Sequence, residues 1–127
     1  MKSIRPTDSE LSILQVLWAN GPSTVRQVNE VLNKVREVGY TTTLKLMQIM
    51  HEKQLLARTK SGKTHIYRAL VTQSDTQKAL LNRFVDNTFG GSMTQLVLQA
   101  LGGHQASVEE IDQIRAYLDQ LEKDQSK

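Results

Sequence analysis

The chain has 127 residues, 39% of them hydrophobic and none of them cysteine. That is enough for one modest core, or for a small domain with an appended helical segment, and it excludes disulfides, thiol nucleophiles and Cys-ligated zinc. The formal net charge of +3 is unevenly spread: residues 1–70 hold 11 Lys and Arg against 5 Asp and Glu, whereas residues 71–127 hold 5 against 8. Such a split points to a basic part that meets a polyanion and an acidic part with another task.

In chain order, Thr7-Asp8-Ser9-Glu10 reads as a capping box that opens a first helix with Leu11, Leu14, Leu17 and Trp18 as its apolar stripe. Asn20-Gly21-Pro22 stops it. Ser23 is the expected N-cap of a second helix, marked by Val25, Val28, Val31, Leu32 and Val35 and ended by Gly39 in the left-handed position. The third helix runs from the Tyr40-Thr41-Thr42-Thr43 start, where hydroxyls suit a helix N-terminus, toward Arg58. Thr43, Leu46, Met47 and Met50 share the face that should meet a core. Thr41, Thr42, Lys45, Gln48 and Glu52 face outward, with Leu44 and Ile49 on the flanks. Two β-prone runs, 56–60 and 64–70, flank Ser61-Gly62-Lys63, a hairpin signal made basic by Arg58, Lys60 and Lys63. Three helices followed by a basic hairpin is the order of a winged helix.

The remainder is helical in pattern. Ser74-Asp75-Thr76-Gln77 should cap a helix carrying Leu80, Leu81, Phe84 and Val85, broken by Gly90-Gly91. A short apolar helix follows with Met93, Leu96, Val97, Leu98 and Leu101, broken in turn by Gly102-Gly103. Ser107-Val108-Glu109-Glu110 opens a last helix with Ile111, Ile114, Leu118 and Leu121 in a/d spacing. This is more apolar surface than so thin a segment hides by itself, so a homodimer interface formed by Leu81, Phe84, Val85, Met93, Leu96, Val97, Leu101, Ile111, Ile114, Leu118 and Leu121 is the economical reading. An intramolecular core remains the alternative. The expected fold class is therefore mainly α with a small β-wing: a winged helix-turn-helix over residues 1–71, then a helical dimerisation domain over 72–127.

No constellation suggests an enzyme, a metal or a cofactor. His51-Glu52 begins a zinc-protease pattern, but Leu55 stands where its second histidine belongs. His51, His65 and His104 are scattered over a helix, a wing and a loop. Ser92 follows two glycines without the strand that a nucleophile elbow needs. The Met1–Asp8 stretch lacks the apolar centre of a signal peptide, and no apolar run approaches membrane-spanning length. A cytoplasmic protein without membrane insertion is expected.

Several of these segments resemble the BlaI/MecI/CopY family: the Thr7–Trp18 helix, Tyr40-Thr41-Thr42, Glu52-Lys53, Ile66-Tyr67-Arg68 and Phe89-Gly90-Gly91-Ser92-Met93. The resemblance covers nearly the whole chain. It implies a dimeric winged-helix repressor of dyad-symmetric operators, guarding β-lactam resistance or copper homeostasis genes, and possible partners in a membrane sensor-protease pathway. Two departures stand out. Metal sensing of the CopY type uses Cys-x-Cys pairs that this chain lacks. The β-lactam repressors are cleaved at an Asn-Phe bond where this chain has Gln99-Ala100.

On this reading the third helix enters a major groove, with Thr41, Thr42, Lys45 and Gln48 as base readers. Ile49 and Leu44 either touch thymine methyls or pack at the helix edge. Tyr40 either bonds a phosphate or anchors packing. Ser23 and Thr24 bring the N-terminus of the second helix to a phosphate, and Lys60 and Lys63 add salt-sensitive affinity. The alternative is a winged-helix module for protein–protein assembly, but such a module has no need to gather positive charge on the third helix and wing.

Overall fold

The computed structural model describes residues 5–103 and 105–126; Met1–Ile4, His104 and Lys127, on which the N-terminal and one histidine reading partly fall, lie outside the described residues. The protein is mainly helical with a two-stranded antiparallel sheet, and it divides into two compact units, Met1–Arg83 and Phe84–Lys127.

The first unit begins with α1 (Asp8–Asn20). Thr7 accepts the Glu10 N–H and Glu10 accepts the Thr7 N–H, the reciprocal cap expected. Gly21, at φ +80°, ends the helix with its N–H on the Leu17 carbonyl, a conformation that a Cβ disfavours. The next cap is Thr24, not Ser23: Thr24 and Gln27 form the box that opens α2 (Val25–Leu32). Ser23 is instead buried. Its N–H donates to the Tyr67 carbonyl at 2.9 Å, its carbonyl accepts from the Tyr67 N–H at 2.8 Å, and its hydroxyl donates to Gly21.

α2 is also shorter than the valine spacing predicts. It stops at Leu32, and Val35 is 89% exposed. Asn33 supplies the reason. Its side chain takes the Val38 N–H and returns a bond to the Val38 carbonyl, offering the backbone an alternative to continued helix. Gly39, expected to be left-handed, sits at φ −69° as the N-cap of α3 (Tyr40–Glu52). No side chain caps that helix start; of the threonine hydroxyls, that of Thr43 turns inward. α3 ends through Gln54 at φ +64°, a left-handed turn made without glycine, with the Leu55 N–H returning to Met50.

β1 (Leu56–Ser61) pairs with β2 (Thr64–Ala69) in the register Leu56↔Ala69 through Ser61↔Thr64, closed by Gly62-Lys63 with Gly62 at φ +64°. The core lies between the three helices and the root of this hairpin: Ile13, Leu14, Leu17, Val28, Met47, Met50, Leu56 and Tyr67 are buried together. The inward face of α3 is the one that its spacing predicts, with Thr43, Met47 and Met50 fully buried and Leu46 packed at the edge. Polar ties complete the frame. Trp18 donates its indole N–H to the Val71 carbonyl at 3.0 Å. Lys53, just past α3, reaches back to both carboxylate oxygens of Glu10 at 2.7 and 2.9 Å.

α4 (Gln73–Phe89) starts one residue before the expected cap; Thr72, not Ser74, accepts the Asp75 N–H, and the Thr76 hydroxyl is buried on the Thr72 carbonyl. The second unit holds the end of α4 with α5 (Met93–Gly103) and α6 (Val108–Gln125). Gly90 and Gly91, both at positive φ, make the α4–α5 turn as expected, and Phe84 stacks edge-on to Phe89. α5 ends at the expected pair, with Gly102 and Gly103 as its last two residues; glycine near a helix end carries only a modest entropic cost. Ser107 and Glu110 form the predicted capping box of α6. Val85 is buried, but neither α5 nor α6 has a buried residue.

Candidate nucleic-acid interface

The outer face of α3 and the hairpin enclose an open cleft of about 920 Å³. It arises from the Ser23–Tyr67 backbone pair, which holds the start of α2 against β2 and leaves α3 as the floor between them. Three rows of side chains meet there. From α3 come Tyr40, Leu44 and Gln48, each four residues after the last and therefore on one stripe. From α2 and its cap come Thr24, Arg26, Asn29 and Glu30. From the hairpin come Arg58, Lys63, Thr64, His65 and Tyr67.

The residues singled out from sequence divide by position. Tyr40 is half exposed on the cleft floor, which excludes a purely internal anchoring role. Thr41, Thr42, Lys45, Gln48 and Ile49 are all exposed along α3, while Leu44 packs against the core edge as well as lining the cleft. Thr42 borders a different groove, near α1 and the α2–α3 turn. Lys60 and Lys63 are exposed on the hairpin. Thr24 reaches the cleft, but its own N–H is taken by Gln27. Ser23 does not offer a phosphate contact of its own: its N–H and hydroxyl are spent internally, so the phosphate-facing reading of that residue is corrected.

Two cationic residues in the cleft escaped the sequence reading as site residues. Arg26 sits in the first turn of α2, 3.6 Å from Glu30 in an exposed ion pair that contributes little by itself. Arg58 shares a face of the hairpin with Lys60, because alternate strand residues point the same way, and its guanidinium donates to the Tyr67 hydroxyl at 3.4 Å. The alternation Arg58-x-Lys60 was the available signal; for Arg26 the sequence offered none, since its approach to the hairpin depends on the Ser23–Tyr67 pairing.

Glu10 sets the far end of α3. The residue is 2% exposed. Burial pushes its pKa up, but the hydrogen bonds from Lys53 and Thr7 and the charge of Lys53 outweigh this and hold it below the ordinary glutamate value. The ionised pair therefore fastens α1 to the end of α3. Chemically, the exposed α3 face offers hydroxyl, amide and ammonium groups suited to base edges and phosphates, and the hairpin offers cations for a backbone. Among the described residues no three histidines, aspartates or glutamates gather to hold a metal, and no helix is long and apolar enough to cross a membrane.

A family model described as "Penicillinase repressor" matches residues 6–120. A penicillinase repressor of Staphylococcus aureus is 21% identical over 122 residues, covering 96% of this chain and 97% of that protein. A transcriptional regulator BlaI of Mycobacterium tuberculosis is 34% identical over 67 residues, 52% of this chain and 49% of that protein. In fold, the DNA-binding domain of a repressor BlaI superposes with a TM-score of 0.53 at 23% identity, covering 58% of this chain and 90% of that chain. A MarR family protein of Bacillus stearothermophilus gives 0.53 at 20% identity over 95% of this chain and 76% of that chain.

Proposed function

The chain belongs to the penicillinase repressor family and is a winged-helix, DNA-binding transcriptional repressor, and from that premise we propose that it works as a homodimer on a dyad-symmetric operator. Residues 1–71 are the DNA-binding domain and residues 72–127 the dimerisation domain. The observation that carries the reading is the cleft bordered by α3 and the hairpin, with reading groups along α3 and cations on the hairpin. α3 enters the major groove, where Thr41, Thr42, Lys45 and Gln48 address base edges and Ile49 meets thymine methyls. Tyr40, Arg26 and Arg58 face phosphates from the cleft, and Lys60 and Lys63 follow the backbone along the wing. A solved relative, the BlaI of Bacillus licheniformis, is described as a monomeric form in complex with the blaP half-operator, which supports one head per half-site here.

The dimer reading rests on what the second unit leaves uncovered. Phe84, Met93, Val97, Leu101, Ile111, Ile114, Leu118 and Leu121 are exposed, as are Leu98 and Tyr117. Apolar groups in water on this scale mark an association surface. Occupied operator excludes polymerase, and separation of the two heads relieves repression. Cleavage at any bond of the exposed α5, where Gln99-Ala100 stands in place of the Asn-Phe pair, or another event that separates the dimer, would achieve this.

Selection from a random duplex library tests the reading. The enriched site should be a dyad with half-site centres about 10 base pairs apart, one helical turn. A lone asymmetric site would remove the dimer from the account, and enrichment of nothing would remove sequence-specific DNA binding.

A further inference from the structure

The start of α3 is held by a set of polar groups on α2 and in the α2–α3 turn. Asn29, on α2, spends both hydrogens of its amide: one on the Val38 carbonyl at 3.0 Å, one on the Thr43 hydroxyl at 2.9 Å. Thr43 passes its own proton to the Gly39 carbonyl. Asn33 doubles the grip, donating to the same Val38 carbonyl at 2.9 Å and accepting the Val38 N–H at 3.1 Å. The turn between α2 and α3 is thus stitched to α2 from both sides, at the point where Gly39 provides no side-chain cap. Thr43 is fully buried, so it reaches no duplex. Its neighbours Thr41 and Thr42 are exposed on the same first turn.

We propose that Asn29, Asn33 and Thr43 are positioning residues for base reading: they set the seat of the first turn of α3, and sequence selectivity depends on them although Thr43 cannot touch DNA. Hydrogen bonds to base edges fall steeply with distance and angle, so a first turn free to shift loses discrimination. Contacts from flexible lysines to phosphates tolerate the same shift, so overall electrostatic affinity survives. The inference rests on α3 being the reading helix.

The test compares Thr43→Val, which keeps the shape and removes the hydroxyl, with Thr43→Ser, which restores it. Affinity is measured for the duplex enriched from the random library and for a scrambled duplex across a salt series. Thr43→Val should lower the enriched-to-scrambled ratio about three- to tenfold, as loss of one or two hydrogen bonds implies, with the salt slope unchanged. Thr43→Ser should stay close to the unmodified protein. Amide exchange at Val38 and Thr43, whose N–H groups bond the Asn33 side chain and the Gly39 carbonyl, should quicken in the valine variant alone. If Thr43→Val does not fold, Asn33→Ala decides: its side chain is exposed, it loosens the same turn, and the same fall in ratio is expected. An unchanged ratio in the folded variants, while Thr41→Ala or Thr42→Ala lowers it, overturns the positioning role and leaves α3 as the reader. If none of these changes alters the ratio, the reading helix and this inference fall together.

Discussion

The two units treat apolar side chains in opposite ways. In the first, α1, α2, α3 and the hairpin converge so that Ile13, Leu14, Val28, Met47, Met50 and Leu56 leave almost no surface in water. In the second, Val85 is buried while the stripes of α5 and α6 remain exposed along their length. Burial of apolar area is the main favourable term in folding. The first unit has therefore buried its apolar stripes internally, whereas the second leaves most of its own in water. On the proposed function, the DNA-reading groups lie in the first unit, and the strength with which an operator is held depends on the second.

The largest effect should come from removing α5 and α6. A chain ending at Phe89 is expected to stay folded, sediment as a monomer and keep weak duplex binding. It should lose roughly 10²–10⁴ in operator avidity, because the second head is no longer tethered near its half-site. If the shortened chain remains dimeric, or binds as tightly as the full one, the division of labour fails.

A paired substitution sharpens the same contrast. Leu14→Ala opens a cavity at a fully buried site and should lower unfolding free energy by about 2–5 kcal/mol at any protein concentration. Leu118→Ala, at a half-exposed site on α6, should leave the monomer unchanged and raise the dimer dissociation constant. Equal, concentration-independent losses from both would mean that the second unit is an internal core after all.

The Glu10–Lys53 pair gives the first unit a pH signature. The folded pKa of Glu10 is depressed. The pair's contribution is thus fully present above the ordinary glutamate pKa and is lost as pH falls through the lower, folded value. Glu10→Gln should cost about 2 kcal/mol at pH 7, below the value for a fully buried pair because Lys53 is partly exposed, and denaturant titrations should show a flatter acid limb. An unchanged acid limb would assign the pH dependence to other carboxylates.

The smallest effects separate reading from holding within the first unit. Gln48→Ala should cost about 1 kcal/mol of discrimination between operator and scrambled DNA if it reads a base. Lys63→Ala should weaken both duplexes alike and flatten the log–log salt dependence by about 0.9 for each phosphate it no longer neutralises. A selective loss from Lys63→Ala would place the wing among the readers.

Local chemistry carried most of the fold in the sequence alone. Capping boxes at Thr7 and Ser107, the inward stripe of α3, the Gly62 hairpin turn and the Gly90-Gly91 break each depend on residues within one turn of each other, so spacing suffices to find them. The charge split and the hydroxyl-amide-lysine face of α3 made a DNA partner legible for the same reason. What depended on distant partners was not legible. Valine spacing ran α2 on toward Gly39, because nothing local reveals that Asn33 closes on Val38. Ser23 looked like a cap or a phosphate ligand, but Tyr67, far along the chain on β2, claims its backbone. That same pairing puts Arg26 and Arg58 on the lining of one cleft. The sequence by itself determined which faces are apolar, which are basic and where helices begin. Tertiary structure decided which polar groups are consumed inside the fold and which are left to meet DNA, because a buried hydrogen bond is set by three-dimensional proximity and not by order along the chain.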